Sequence, residues 1–157
     1  MPRDRGSGRT RHAIPPFVWF FGSLGAMLLL GALAPGPDVV PDALAWAGAV
    51  LACGGLLLNA AASRAFRRQR TTIDPEGQPR VLVDAGVYRW TRNPMYLAGI
   101  LILSGLFLVL GALTTAVVPP LYALIASRCF IPPEERRLEA TFGEAYRSYR
   151  ARVRRWV

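Results

Sequence analysis

A short polar segment directly before an apolar block carries residues suited to bind an anion. Asn93 precedes Pro94 at the expected start of a helix, where the first backbone N–H groups have no partner within the helix. Asparagine is a favoured N-cap and proline a favoured first helical residue. Arg92 adds a guanidinium group beside them. A carboxylate or a phosphate could dock there, although arginines next to an apolar block are also typical of a membrane anchor.

Two adjacent carboxylates, Glu134 and Glu135, form a second polar group. A helical projection at about 100° per residue puts Glu135 inside an apolar stripe. The stripe contains Leu138, Phe142, Tyr146, Tyr149 and Val153. Because a buried carboxylate is costly unless it is paired, Glu135 needs an arginine such as Arg89 or Arg92, or a cationic or hydroxyl-bearing ligand. A position in the first helical turn also favours both carboxylates without any function.

Several other kinds of chemistry lack the residues they need. The single histidine is His12, and the sequence has no metal-ligand cluster, no Ser-His-Asp set and no His-Glu-x-x-His pattern. Glycine-rich nucleotide-binding motifs are also absent. Cys53 and Cys129 lie in or beside apolar blocks, which argues against a disulfide framework. The sequence therefore predicts chemistry that uses no protein-bound metal.

The elements that must position these groups are apolar enough to lie in a membrane. The chain has 157 residues, of which 52% are hydrophobic, and its mean hydropathy is positive. Apolar blocks span residues 14–34, 43–63 and 95–113, and each is long enough to cross a hydrocarbon core about 30 Å thick. A further block, 114–131, contains Pro119-Pro120, where a short helix is expected to begin. We expect an all-α membrane protein with about four transmembrane helices and a cytoplasmic amphipathic C-terminal helix.

The distribution of arginine predicts the topology. Arginines precede the first block and follow the second, whereas the loop between them, 35–42, carries only Asp38 and Asp42 as charged residues. Basic segments stay on the cytoplasmic side, so we expect both termini and the loop 65–94 inside a bacterial cytoplasmic membrane. Topology thus explains the net charge of +9 without nucleic acid. A secretory signal could also start this way, but its apolar region is usually only about 7–15 residues long.

The first half of the chain offers mainly packing surfaces. Small residues recur at a spacing that lets helices approach closely, at Gly22 and Ala26 and again at Gly48 and Ala52. Asn59 is the polar exception inside the second block. It is expected either to form an interhelical hydrogen bond or to line a cavity for the substrate.

Several segments together resemble the membrane methyltransferase family that includes isoprenylcysteine carboxyl methyltransferases and phospholipid N-methyltransferases. The likeness covers residues 70–155 approximately. Its carriers are Thr71-Thr72-Ile73 with Pro75, Leu82-Val83, Gly86-Val87-Tyr88, Arg92-Asn93-Pro94-Met95-Tyr96, Glu134-Glu135, Leu138, Phe142-Gly143, Tyr146 and Tyr149. The apolar blocks and the arginine distribution give a cytoplasmic tail (1–13) and a two-helix hairpin (14–64), and the resemblance makes the remainder a methyltransferase-like region (65–157). This region comprises the loop 65–94, a helical hairpin at 95–131 and a C-terminal helix at 133–155.

The resemblance implies S-adenosylmethionine as cofactor, and methyl transfer to a lipid-like or hydrophobic acceptor at the cytoplasmic face. By the same resemblance, Arg92 and Glu135 are expected to be catalytic. Asn59, the polar residue inside the second apolar block, is the candidate for substrate contact. The expected cofactor-binding residues are Tyr88, Arg92, Asn93, Pro94, Tyr96, Leu97, Glu134, Glu135, Leu138, Phe142, Tyr146 and Tyr149. Membrane lipids are the expected partners, with neither nucleic acid nor metal.

The chain departs from the prenylcysteine enzymes at Asn93, where those enzymes usually have histidine. Asparagine is no general base near neutral pH, which argues against a prenylated protein as the substrate. A carboxylate acceptor needs no base, whereas an amine acceptor must pass a proton to Glu135 or to water. Two other readings stay open: a reductase that binds NADPH, because sterol reductases resemble the same region, and a scaffold without catalysis.

Overall fold

A computed structural model describes residues 15–68 and 81–157. In these ranges the chain forms six α-helices and no strand, apart from one isolated bridge between Asp38 and Ala112. The helices are α1 (Pro16–Leu33), α2 (Ala45–Arg68), α3 (Pro94–Leu110), α4 (Val118–Ile125), α5 (Ile131–Phe142) and α6 (Glu144–Arg152). The predicted all-α fold is confirmed. The predicted tail 1–13 and the motif from Thr71 to Pro75 lie outside the described residues.

Three stretches of helix are long and apolar enough to cross a membrane: Pro16–Leu33, Asp42–Arg68 and Leu113–Phe142. The chain is therefore described as a membrane protein. Helix α3 is apolar but has only 17 residues, which extend about 26 Å at a rise of 1.5 Å per residue. It ends where Gly111 adopts a positive φ of 71°. The predicted span 95–113 is therefore shorter than expected, because the left-handed residue stops the helix.

Helices α2 and α3 are held together by glycines. A Cβ atom added to Gly48 would lie 2.6 Å from the carbonyl oxygen of Gly105, and one added to Gly55 would lie 2.8 Å from that of Ala98. A Cβ at Gly105 would also collide with the backbone of Ala52. These close approaches confirm that the Gly48–Ala52 spacing marks a helix interface.

Helix α1 packs differently. Its Met27 is fully buried in a core cluster that also contains Leu103 of α3 and Tyr122 of α4. A Cβ at Gly22, however, would meet nothing within 4 Å, and Ala26 is exposed. The Gly22–Ala26 spacing therefore does not mark a helix interface within the described part of the chain. Helix α1 is available to form a wall of the cavity described below.

The helical stretch from Leu113 to Phe142 changes its winding around its prolines. A 3-10 turn leads into α4, which begins at Val118 directly before Pro119-Pro120, as predicted. A π-helical turn, Ala126–Phe130, then precedes α5, whose first turn holds Pro132 and Pro133. Proline has no N–H group to donate to the preceding turn, and wider π turns occur where the regular helical ladder is interrupted. The prolines thus bend the stretch without ending it.

The C-terminal region is two helices and a tail, which corrects the single helix predicted for 133–155. Gly143 has φ of 54° and ψ of −121° and separates α5 from α6. Glycine adopts this conformation readily because it has no Cβ atom. Helix α6 ends at Arg152, and residues 153–157 form a non-helical tail. The projection of one continuous helix missed the reversal at Gly143, and with it the course of this tail.

Candidate active site

A cavity of about 290 Å³ lies at the end of the bundle where α1 and α3 begin and α2 ends. Most of its walls are apolar or aromatic: Pro16, Phe17, Phe20, Phe21, Phe66, Met95, Gly99, Ile102 and Tyr122. Five polar side chains complete the lining: Asn59, Arg92, Asn93, Tyr96 and Glu134. Such a combination, apolar walls with a few polar groups, is typical of a site for a small amphipathic molecule.

The polar side of the cavity is formed by the first turns of α3 and α5. Tyr96 is buried, and its hydroxyl donates to Oε2 of Glu134 over 3.3 Å, a long hydrogen bond. Glu134 itself is exposed at the cavity wall. A carboxylate can accept several hydrogen bonds, so Glu134 keeps acceptor capacity for an ammonium or hydroxyl group.

Next to the cavity lies a group of three charged residues, Arg92, Glu135 and Arg155, which we name the arginine–carboxylate cluster. Nη2 of Arg155 lies 2.7 Å from Oε2 of Glu135, and its Nε donates to Oε1 over 3.2 Å. Nη1 of Arg92 lies 3.1 Å from the same Oε1. The cluster supplies the partner that the buried position of Glu135 required. Arg92 was one predicted candidate; Arg155 was not among them.

Arg92 keeps unused hydrogen-bonding capacity. Its side chain is only 10% exposed, and its Nε and Nη1 have no hydrogen-bond partner in the described ranges 15–68 and 81–157. Nη1 is close enough to Glu135 for an ion pair, but its direction does not make a hydrogen bond. Buried donors without a partner are rare in folded proteins. On a residue that lines the cavity, they indicate room for an anionic ligand group.

The tail 153–157 runs back along the segment that precedes α3. The N–H of Arg92 donates to the carbonyl oxygen of Arg154 over 3.0 Å. The hydroxyl of Thr91 and the amide of Asn93 donate to the carbonyl oxygen of Arg155, over 3.1 and 3.0 Å. Asn93 stands at the N-cap position as predicted, but its side chain does not cap α3. Its Nδ2 atom instead donates to the tail, at the carbonyl oxygen of Arg155.

The aromatic residues of the predicted stripe support the fold and do not line this cavity. The hydroxyl of Tyr149 donates to the carbonyl oxygen of Tyr88 over 2.8 Å, and the rings of Tyr146 and Tyr149 are 6.2 Å apart. Burial raises the pKa of the Tyr88 and Tyr149 hydroxyls above their usual range, so both remain neutral. Leu138 and Phe142 are half-buried on α5.

The structure thus gathers five predicted site residues at one cavity: Asn59, Arg92, Asn93, Tyr96 and Glu134. The cavity lining does not include the other eight: Tyr88, Pro94, Leu97, Glu135, Leu138, Phe142, Tyr146 and Tyr149. Asn59 is exposed on the cavity, and the interhelical hydrogen bond that was one expectation is absent among the described residues.

Sequence reasoning missed the aromatic walls of the cavity. In the sequence, the phenylalanines of α1 look like ordinary lipid-facing residues of a membrane span. Nothing in the spacing of Phe17, Phe20 and Phe21 shows which helix they face. Gly99 offered a signal that was not used. A Cβ atom there would lie 2.7 Å from the hydroxyl oxygen of Tyr122, so the glycine makes room for this tyrosine, which also lines the cavity.

Comparisons with known proteins give one finding. The model of a family described as phospholipid methyltransferase matches residues 43–145 of this chain. This range includes α2 to α5 and the polar side of the cavity, but neither α1 nor the C-terminal tail. No curated protein and no solved structure matches the chain.

Proposed function

Since this chain belongs to the phospholipid methyltransferase family, we propose that it transfers a methyl group from S-adenosylmethionine to a lipid-like or hydrophobic acceptor at the cytoplasmic face of the membrane. One observation carries the proposal. An apolar cavity between membrane helices meets the polar groups of Arg92, Asn93, Tyr96 and Glu134. An apolar acceptor and a polar, charged cofactor need such a boundary if they are to meet.

The side chains at this boundary fit the charged groups of S-adenosylmethionine. The unpartnered Nε and Nη1 atoms of Arg92 suit its carboxylate, because charge-assisted hydrogen bonds from a guanidinium are among the strongest in proteins. Glu134, held by the hydroxyl of Tyr96, suits its ammonium group or the ribose hydroxyls. The structure supports Arg92, Tyr96 and Glu134 as the residues that would hold the cofactor.

When bound, S-adenosylmethionine supplies a methyl group whose bond to sulfur breaks, leaving its electron pair on sulfur, while a lone pair of the acceptor forms the new bond. The chain contributes by alignment, since in-line displacement depends on placing the two reactants together. The walls formed by Phe20, Met95 and Ile102 exclude water from the apolar part. No proton has to move when the acceptor is a carboxylate.

An amine acceptor would have to lose a proton, and Glu134 is better placed to receive it than Glu135. Glu135 was one expected proton acceptor, with water as the other, but it is paired with Arg92 and Arg155. Both of its carboxylate oxygens are already in contact with guanidinium groups. Glu134 lies on the cavity wall, where it accepts a long hydrogen bond from the hydroxyl of Tyr96. Glu135 is accordingly proposed as the carboxylate of the arginine–carboxylate cluster and not as the proton acceptor.

The proposed acceptor occupies the apolar part of the cavity, with Asn59 near its reacting group. Phe17 and Phe21 of α1 line this part and are also largely exposed. This supports access from the side, through the lipid. The arginine-rich segments near this end of the bundle favour its placement on the cytoplasmic side, with both termini inside.

Incorporation of label from methyl-tritiated S-adenosylmethionine into a bacterial lipid extract tests the proposal. The purified protein in lipid nanodiscs is expected to label an organic-soluble product, and Glu134→Gln to reduce the rate strongly. Mild alkali then identifies the acceptor atom, because a methyl ester releases volatile methanol whereas an N-methyl group is retained. Absence of label in every lipid fraction, with a folded protein, would contradict the proposal.

A further inference from the structure

The bonding of Glu135 is unequal between its two arginines. Arg155 holds both carboxylate oxygens, at 2.7 and 3.2 Å, whereas Nη1 of Arg92 lies 3.1 Å from Oε1 and makes no hydrogen bond to it. A guanidinium that contacts both oxygens of a carboxylate makes the strongest arrangement of this kind. Arg155 is therefore the main partner of Glu135, and Arg92 is a neighbour whose Nε and Nη1 atoms have no hydrogen-bond partner in the described part of the chain.

The charges of the cluster do not balance. One carboxylate faces two guanidinium groups, and the side chains of Arg92 and Glu135 are only 10% and 11% exposed. The excess positive charge falls on Arg92, which is the member that lines the cavity. A positive charge in so little water attracts an anionic ligand group.

Backbone carbonyl groups of the tail hold Arg155 against the segment that precedes α3. Thr91 and Asn93 donate to its carbonyl oxygen, and the N–H of Arg92 donates to the residue before it. The following residue, Trp156, packs against the core cluster of Met27 and Leu103. Arg155 nevertheless lies ten residues beyond position 145, where the family match ends.

We propose that Arg155 is a positioning residue of the cofactor site: by binding both oxygens of Glu135, it leaves Arg92 free to bind the cofactor's carboxylate. Without Arg155, Arg92 is the remaining ion-pair partner of Glu135 among the described residues, and its donors turn to Glu135. The ligand carboxylate then competes with a protein carboxylate for the same guanidinium. This inference rests on the proposed function and adds a residue that acts through Arg92.

The test compares two ligands on a set of variants in nanodiscs. S-adenosylhomocysteine carries the carboxylate, and methylthioadenosine has the same adenosine part without it. Arg155→Gln is expected to weaken S-adenosylhomocysteine about tenfold and methylthioadenosine less than about twofold. The double variant Glu135→Gln with Arg155→Gln removes the competing carboxylate and is expected to restore most of the lost affinity. Arg152→Gln is the matched control, because Arg152 is an exposed arginine whose Nε donates to the carbonyl oxygen of Ser148, one turn earlier.

The outcomes separate the inference from simple loss of the fold. Unchanged binding of S-adenosylhomocysteine by Arg155→Gln overturns the inference. Equal weakening of both ligands, or no recovery in the double variant, does the same, because each indicates a general loosening of the tail. If Arg155→Gln does not fold, Arg155→Lys is measured in its place, and a loss confined to the carboxylate ligand supports the inference. A wild-type protein that binds neither ligand overturns the proposed function itself.

Discussion

Two adjacent glutamates stand in opposite environments. Glu135 is 8% exposed and lies between two guanidinium groups, whereas Glu134 is exposed at the cavity with the hydroxyl of Tyr96 beside it. A turn of about 100° per residue along a helix is enough to separate them. The two carboxylates therefore have different expected roles: Glu135 fixes the site, and Glu134 faces the ligand.

The same division extends to the surroundings of each residue. The arginine–carboxylate cluster is linked to the tail and, through Tyr149 and Tyr88, to the segment before α3. The cavity is bounded by apolar side chains from α1, α2 and α3 that make few polar contacts. Substitutions in the first region should therefore change stability, and those in the second should change binding.

The largest effect is expected for Glu135→Gln. Removing the carboxylate leaves Arg92 and Arg155 without their charge partner, and breaking a buried ion pair typically destabilises a protein by about 3–5 kcal/mol. We expect about 3 kcal/mol, because Arg155 is partly in water. Unfolding by SDS in mixed micelles measures this loss. A variant as stable as the wild type would show that the cluster does not hold the fold.

The next largest effect is expected for Glu134→Gln, which should change ligand binding and leave stability almost unaltered. We expect the affinity for S-adenosylhomocysteine to fall at least tenfold, or about 1.4 kcal/mol, while the unfolding free energy changes by less than about 0.5 kcal/mol. Glu144→Gln is the matched control, since Glu144 is exposed and pairs with Arg147 at the surface. A destabilised Glu134→Gln with normal binding would reverse the comparison between the two glutamates.

Tyr149→Phe is expected to lower the unfolding free energy by a smaller amount. The change removes the hydrogen bond to the carbonyl oxygen of Tyr88 and leaves this acceptor without its donor. A loss of about 1 kcal/mol in unfolding free energy is expected, with cofactor affinity within about twofold of wild type. Affinity that falls more steeply than stability would place Tyr149 at the ligand.

The smallest effect is expected for Asn59→Phe, which narrows the acceptor side of the cavity. We expect a rise of about threefold in KM for the lipid acceptor and unchanged affinity for S-adenosylhomocysteine. Leu57→Phe adds a similar ring to an exposed position of the same helix and serves as control. Gly55 is unsuitable for this test, because a side chain there would collide with Ala98 and Ile102 of α3. Equal losses of acceptor and cofactor binding would contradict separate subsites.

Much of the fold followed from local rules that the sequence displays. The start of α3 at Pro94 and that of α4 beside Pro119-Pro120 depend on the fixed φ and missing N–H of proline. The burial of Glu135 followed from helical periodicity. Each of these features depends on residues within a turn or two of one another, which is the range over which a sequence can be read directly.

Contacts between distant residues could not be read in this way. The reversal at Gly143 sends the tail back to Thr91 and Asn93, so Arg155 reaches Glu135 from a direction that no single-helix projection contains. The phenylalanines of α1 likewise become cavity walls only through the packing of α1 against α4. For the same reason, the aromatic stripe of α5 and α6 was assigned to the cofactor although Tyr149 binds the backbone of Tyr88.

The most direct test of the central claim is calorimetric binding of S-adenosylhomocysteine to the detergent-purified protein, with Glu134→Gln and NADPH in parallel. The account predicts micromolar binding by the wild type, at least tenfold weaker binding by the variant and no binding of NADPH. A folded protein that does not bind S-adenosylhomocysteine would contradict the methyltransferase account. Binding of NADPH would then identify a reductase, and binding of neither ligand would indicate a scaffold.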